Sequence, residues 1–100
     1  MSKEDILITI KKYDSSIAYP TILQELIQRR TKDLPVYKIT IAQPARKHGA
    51  DDSVEVGLSW GDYKIIARGP NKIIGKNLCA FQLLEKLVED NDFWMVNNKI

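Results

Sequence analysis

The sequence contains few of the residues from which metal sites, disulfides and catalytic triads are built. It has one cysteine, Cys79, and one histidine, His48, among 100 residues. A lone cysteine forms no disulfide within the chain and no multi-cysteine zinc site, which fits a reducing compartment such as the cytoplasm or nucleus. A lone histidine builds neither a metal site nor a triad. We therefore expect no metal, no cofactor and no catalysis from this chain by itself.

Long apolar runs and a large net charge are also lacking. The apolar run near the start, from Ile6 to Ile10, spans five residues, whereas a membrane helix needs roughly 20. Acidic Glu4 and Asp5 precede this run, unlike the basic start of a signal peptide, so we expect no membrane partner. Because the formal net charge is only +2, any affinity for phosphates must come from clustered cations.

The apolar fraction is 44%, close to the roughly 45–50% of soluble globular chains. A chain of this length forms one compact domain with a modest core. An amphipathic helix is predicted from Pro20 to about Arg30, because apolar residues recur there at helical spacing. The apolar stripe consists of Ile22, Leu23, Leu26 and Ile27. The outward polar face consists of Thr21, Gln24, Glu25 and Gln28.

Three strands and a second helix follow. Alternating or β-rich patterns predict strands at Val36–Ile41, Val54–Trp60 and Tyr63–Ala67. The last two are separated only by Gly61-Asp62, a hairpin turn, so they should pair antiparallel. Helical spacing then predicts a helix over 72–88. The order of these elements indicates an α+β domain.

Terminal segments flank this domain, which we place at residues 19–89. Residues 1–18 form an N-terminal extension whose apolar run fits either a strand or a short helix. Residues 90–100 form a C-terminal tail or a short packing extension. Its aromatic residues, Phe93 and Trp94, are unusual for a frayed terminus. We expect them to pack on this domain, on a catalytic domain in the same polypeptide, or on a second copy in a homodimer.

From Tyr19 to Val88, the order of elements and several local strings resemble the double-stranded-RNA-binding domain. Pro35-Val36-Tyr37 is similar to that family's first-strand signature, and Leu23-Gln24-Glu25 to a string in its first helix. The most specific string enters the second helix: Arg68-Gly69-Pro70-Asn71-Lys72-Ile73-Ile74-Gly75-Lys76-Asn77-Leu78-Cys79-Ala80. The resemblance implies a three-stranded antiparallel sheet with two helices packed on one face, in the order α-β-β-β-α.

The sequence departs from the family pattern at two places. Ile73 stands where the second of two consecutive lysines is expected. In the loop over 43–52, Gln43-Pro44 replaces the usual Gly-Pro, and His48 is displaced. At both departures the sequence resembles the domains appended to fungal ribonuclease III and Dicer-type enzymes. Those enzymes act in RNA processing and RNA interference.

An A-form RNA duplex presents 2′-hydroxyls in a wide minor groove and phosphates beside a narrow major groove. We assign Thr21, Gln24, Glu25 and Gln28 to one minor groove, although the same four could be only a solvated helix face. Lys72 and Lys76 lie four residues apart near a helix N-terminus, which favours anions. They are the predicted phosphate clamp, assisted by Arg68 and Asn71, unless they are ordinary surface residues.

The loop between the first two strands carries Arg46, Lys47 and His48. These could enter a second minor groove one turn away, or form a solvated turn neutralised by Asp51-Asp52. The sequence thus predicts a module that binds double-stranded RNA by shape, as the substrate-binding part of a ribonuclease III-type protein. The alternative is a module of the same fold that docks or dimerises and has little RNA affinity.

Overall fold

A computed structural model describes residues 2–41 and 54–96. The elements along these ranges are α1 (Lys3–Thr9), α2 (Tyr19–Gln28), β1 (Val36–Ile41), β2 (Val54–Trp60), β3 (Tyr63–Gly69), α3 (Lys72–Val88) and α4 (Asn91–Val96). The three strands form one antiparallel sheet in the order β1-β2-β3. The α+β class and the antiparallel sheet expected from the sequence are therefore confirmed.

The sheet is regular, with Val36 opposite Ser59 at one end of β1 and Ile41 opposite Val54 at the other. The hairpin between β2 and β3 closes with Trp60 opposite Tyr63. Gly61 in this turn has a φ of 59°, a left-handed conformation that glycine adopts without steric cost. Burial alternates along β2 and β3, so one face of the sheet carries the core and the other faces solvent.

Helix α3 lies directly on the buried face of the sheet, against β2 and β3. At Gly75 the helix comes close to the sheet, because an added Cβ there would lie 2.5 Å from Cγ2 of Val56. One turn further, the Cys79 thiol donates to the carbonyl oxygen of Val56 at 3.1 Å. These small residues let the helix lie close against the sheet.

Helix α2 packs beside α3. Leu23, Leu26 and Ile27 are fully buried in the shared core, as their spacing predicted. The helix begins at Tyr19, one residue before the predicted start. Pro20 fits this first turn because its fixed φ suits a helix and its missing N–H would have no helical acceptor there.

The sequence of the N-terminal extension fitted either a strand or a short helix. The structure shows a helix there, α1. Ser2 and Asp5 form a capping box: the Ser2 hydroxyl accepts from the Asp5 amide at 3.2 Å, and the Asp5 carboxylate accepts from the Ser2 amide. Ile6 and Ile10 are buried four residues apart, whereas Ile8 is 74% exposed. This four-residue spacing buries one face of α1 against α3.

The C-terminal segment contains α4, and its aromatic residues pack on the domain itself. Phe93 is 7% exposed, and the Trp94 indole N–H donates to the carbonyl oxygen of Leu87 at 2.7 Å. The guanidinium carbon of Arg30 lies 4.8 Å from the Phe93 ring centroid and 4.7 Å from the Trp94 ring. Within the described ranges, every helix is too short or too polar to cross a membrane.

Candidate nucleic-acid interface

The outward face of α2 is a row of polar side chains. Thr21, Gln24, Glu25 and Gln28 are all exposed, on the side away from the buried leucines. The row is about 10 Å long, at 1.5 Å per helical residue. Three of its four side chains are neutral donors and acceptors, which suits hydroxyl groups better than phosphates.

The first turn of α3 presents cations beside a helix N-terminus. Lys72 is exposed, and Lys76 is half-buried one turn later. The Asn71 side chain caps this helix by accepting from the Ile74 amide at 2.9 Å. Because both lysines belong to the first two turns of α3, near the positive end of the helix dipole, this end of the helix favours an anionic ligand.

The aromatic ring of Tyr37 lies beneath the Lys76 ammonium group. The Lys76 ammonium lies over the Tyr37 ring, 5.3 Å from its centroid, a cation–π contact. Burial, aided by the nearby Cys79, raises the pKa of Tyr37 to about 12, so this phenol is neutral at physiological pH. The contact leaves the charge of Lys76 available to a ligand.

An open groove of about 310 Å³ joins the two polar regions. Thr21 and Gln24 line it from α2, Lys76 lines it from α3, and Tyr37 lines it from β1. The structure thus brings together residues 52 positions apart, Gln24 and Lys76, which the sequence assigned separately to a minor groove and to phosphates.

The remaining predicted residues have other surroundings. Arg68 is paired with Glu55 across the sheet, with 2.9 Å between Nη2 and Oε1, and its side chain is 63% exposed. Asn71 is the α3 cap described above, so both residues have a structural function whether or not they contact RNA. The predicted loop contacts, Arg46, Lys47 and His48, lie outside the described residues.

The sequence assignment missed two cations beside Gln28. Arg29 and Lys32 are exposed and line an open groove together with Gln28 and Leu34. The signal was present as the basic run Arg29-Arg30-Thr31-Lys32, but the run alone does not say which members point outward. Arg30 turns inward to the aromatic rings of α4.

The sequence offers one nucleophilic thiol, that of Cys79. Cys79 is buried, and burial raises the pKa of its thiol to about 11, which suppresses the reactive thiolate. No three His, Cys, Asp or Glu side chains of the described ranges gather into a possible metal site.

At the far end of α3, a hydrogen bond joins the hairpin to the segment before α4. The Tyr63 hydroxyl donates to the Asp90 carboxylate. This hydrogen bond raises the pKa of Tyr63 to about 12 and lowers the pKa of Asp90. Trp60 stacks on Tyr63 and meets the Phe93 ring edge-on, so these aromatic side chains pack within the domain.

Comparison with known proteins gives a similarity to part of a longer protein. The chain is 33% identical over 90 residues to Ribonuclease 3 of Aquifex aeolicus (strain VF5). The chain is thus similar to part of a ribonuclease 3. The aligned region covers 90% of this chain and 39% of the length of that protein. No protein-family model matches the chain.

Proposed function

We propose that this chain is a double-stranded-RNA-binding domain and the substrate-binding part of a ribonuclease III-type protein. The single observation that carries the proposal is the groove where Thr21 and Gln24 of α2 meet Lys76 of α3. A mostly neutral hydrogen-bonding row beside a cationic helix N-terminus matches the alternation of sugar and phosphate on an A-form duplex. The similarity to Ribonuclease 3 supports the same function.

In this proposal the polar row of α2 lies along one minor groove. Thr21, Gln24 and Gln28 exchange hydrogen bonds with 2′-hydroxyls, which DNA lacks. Glu25 accepts from a 2′-hydroxyl and repels a misplaced phosphate. Discrimination between RNA and DNA therefore arises mainly at α2.

Lys72 and Lys76 contact phosphates that border the adjacent major groove. These contacts release counterions and account for most of the affinity, which falls as salt rises. They carry no base information, so binding depends on duplex shape and only weakly on sequence. Contact of Arg46, Lys47 and His48 with a second minor groove stays a prediction, with a solvated turn as its alternative.

The alternative of a docking module relied in part on exposed aromatic residues in the C-terminal tail. Phe93, which could have anchored a catalytic domain or a second copy, is 7% exposed within the chain. Dimerisation through the C-terminal tail and an origin in fungal Dicer-type enzymes stay predictions.

The test compares binding of the chain to an RNA duplex of about 20 base pairs and to a DNA duplex of the same sequence, across a salt series. We expect RNA binding that weakens with salt, and much weaker DNA binding. Equal affinity for the two duplexes would overturn the assignment of α2 to 2′-hydroxyls. No RNA binding at low salt would overturn the proposed function as a whole.

A further inference from the structure

The N-terminus of α2 has no side-chain cap from its own segment. The residue at the N-cap position is Ala18, whose side chain cannot accept a hydrogen bond. Pro20 has no amide hydrogen, and the Thr21 amide donates to the Ala18 carbonyl at 3.2 Å. Yet this turn carries Thr21, at the edge of the groove shared with Lys76.

The missing cap is supplied by a side chain of α3 that lies 58 residues after Tyr19 in the sequence. Asn77 Oδ1 accepts from the Tyr19 amide at 2.8 Å, and that amide also lies 3.1 Å from the Ile17 carbonyl. Asn77 is 8% exposed and is the one polar residue counted as buried among the described residues. A buried amide side chain with its oxygen on a helix N-terminus performs the function of an N-cap.

The other end of the Asn77 amide is held as well. Its nitrogen donates to the Tyr13 hydroxyl at 3.3 Å. Tyr13 stacks on Tyr19 with ring centroids 5.5 Å apart, and the Phe81 ring meets both edge-on. Both polar ends of the Asn77 side chain are therefore bonded, and its orientation is fixed by the segment that precedes α2 and by α2 itself.

Asn77 is also the immediate neighbour of Lys76. The backbone that places the Lys76 ammonium over Tyr37 therefore also places the acceptor for the first amide of α2. Thr21, Lys76 and Asn77 line a second groove, between α3 and the turn that leads into α2. Asn77 thus connects the start of the polar row on α2 with the cationic turn of α3.

We propose that Asn77 is a positioning residue for RNA: it holds the first turn of α2 against α3 so that Gln24 and Lys76 engage one duplex together. This inference rests on the proposed function. Asn77 itself need not touch RNA. Its effect arises because two groups that bind one rigid ligand must keep a fixed separation.

The test uses Asn77→Leu, which has a similar volume and removes both hydrogen bonds. The control is Val88→Ala, a buried change at the opposite end of α3, which destabilises the fold without touching the groove. Both variants are measured at a temperature where thermal unfolding curves show them folded. We expect Asn77→Leu to weaken RNA binding about tenfold and Val88→Ala to change it less than about twofold.

A second comparison separates positioning from stability. Gln24→Ala is introduced into the unmodified chain and into Asn77→Leu. If Asn77 aligns α2 with α3, Gln24→Ala should weaken binding in the unmodified chain and have little further effect in Asn77→Leu, because the contact is already lost. The same cost in both backgrounds would overturn the inference, as would full RNA affinity of folded Asn77→Leu.

Hydrogen exchange of the free protein provides a measurement without RNA. The Tyr19 amide should exchange faster in Asn77→Leu than in Val88→Ala. Asn77→Asp should restore protection, since a carboxylate accepts from that amide and from the Tyr13 hydroxyl. Unchanged exchange in Asn77→Leu would overturn positioning by Asn77. If the unmodified chain binds no RNA, the proposed function fails, and this measurement still decides whether Asn77 caps α2.

Discussion

The two ends of α3 differ in what surrounds them. At the N-terminal end, Lys72 and Ile73 are exposed and Lys76 borders an open groove. At the C-terminal end, Leu87 and Val88 are buried, and aromatic side chains from α4 and the hairpin pack on one another beside a groove of about 280 Å³. We call these the open end and the closed end, because packed aromatic rings cover the second.

The polar groups at the two ends of α3 also differ in their partners. At the closed end, the Trp94 indole and the Tyr63 hydroxyl donate to acceptors inside the domain. At the open end, the Lys76 ammonium meets only the face of an aromatic ring among its described contacts, which leaves its donors for a ligand. We therefore expect substitutions at the closed end to change stability and those at the open end to change binding.

The largest stability effect is expected at the closed end, from Phe93→Ala. This change removes a 7% exposed ring that packs against Trp60, Trp94 and Arg30. The free energy of unfolding, from urea titration, should fall by about 3 kcal/mol. RNA affinity of the folded fraction should stay within about twofold of the unmodified value. A large loss of affinity in fully folded protein would show that the two ends are coupled.

The largest binding effect is expected at the open end, from Lys72→Ala combined with Lys76→Ala. RNA affinity should fall at least about tenfold. The magnitude of the salt slope of log K should fall by about 2, one for each phosphate contact.

A control of equal charge is available on the open face of the sheet. Lys38 and Lys64 are exposed there, opposite Gly57 and Ser59. Lys38→Ala combined with Lys64→Ala makes the same change in net charge and should leave the salt slope nearly unchanged. Equal losses in the two double variants would indicate that affinity depends on total charge and not on the α3 turn.

Asn71 allows stability and binding to be separated within the open end. Asn71→Ala removes the α3 cap and should lower the free energy of unfolding by about 1 kcal/mol. Asn71→Asp keeps a capping oxygen, so thermal unfolding should be nearly unchanged, but its added negative charge should weaken RNA binding. If Asn71→Asp binds RNA as tightly as the unmodified chain, phosphates do not approach this turn.

The smallest effect concerns pH at the closed end. Because the Tyr63 hydrogen bond lowers the pKa of Asp90 below its ordinary 3.8, the ionised carboxylate stabilises the fold above that value. This contribution is lost as pH falls through the lowered folded pKa. Since Asp90 is near the surface, it should amount to less than about 1 kcal/mol. Chemical denaturation between about pH 5 and pH 2 should show a weaker pH dependence in Asp90→Asn. An unchanged dependence in this variant would contradict the assignment.

The sequence predicted most of the central domain, because its periodicities were unambiguous. The helix over 72–88 and the strands Val36–Ile41 and Val54–Trp60 begin and end where the patterns indicated. The third strand extends to Gly69, two residues beyond its predicted end, because Arg68 and Gly69 still pair with Glu55 and Val54.

Pattern alone could not decide the N-terminal run. Its residues are apolar except Thr9, so no alternation distinguishes a strand from a helix. The deciding facts are the capping box of Ser2 with Asp5 and the burial of Ile6 together with Ile10. The latter depends on α3, which is distant in sequence.

The sequence predicted the exposed polar faces of the two helices, but it did not predict the contacts between them. Spacing within α2 and within α3 indicated their exposed polar faces. The contacts that relate the two helices to one another and to the sheet, from Asn77 to Tyr19 and from Lys76 to Tyr37, join residues far apart in the chain. Local spacing carries no information about such pairs.

The rate at which a thiol reagent labels Cys79 can report how often the interior of this domain opens. Cys79 is the only cysteine in the sequence, and its thiol lies between α3 and β2, donating to the Val56 carbonyl. A thiol reagent can label the folded chain only when α3 separates from the sheet. The rate of labelling would therefore report the opening of this one interface, and a slower rate with RNA bound would measure how far the ligand clamps the helix in place.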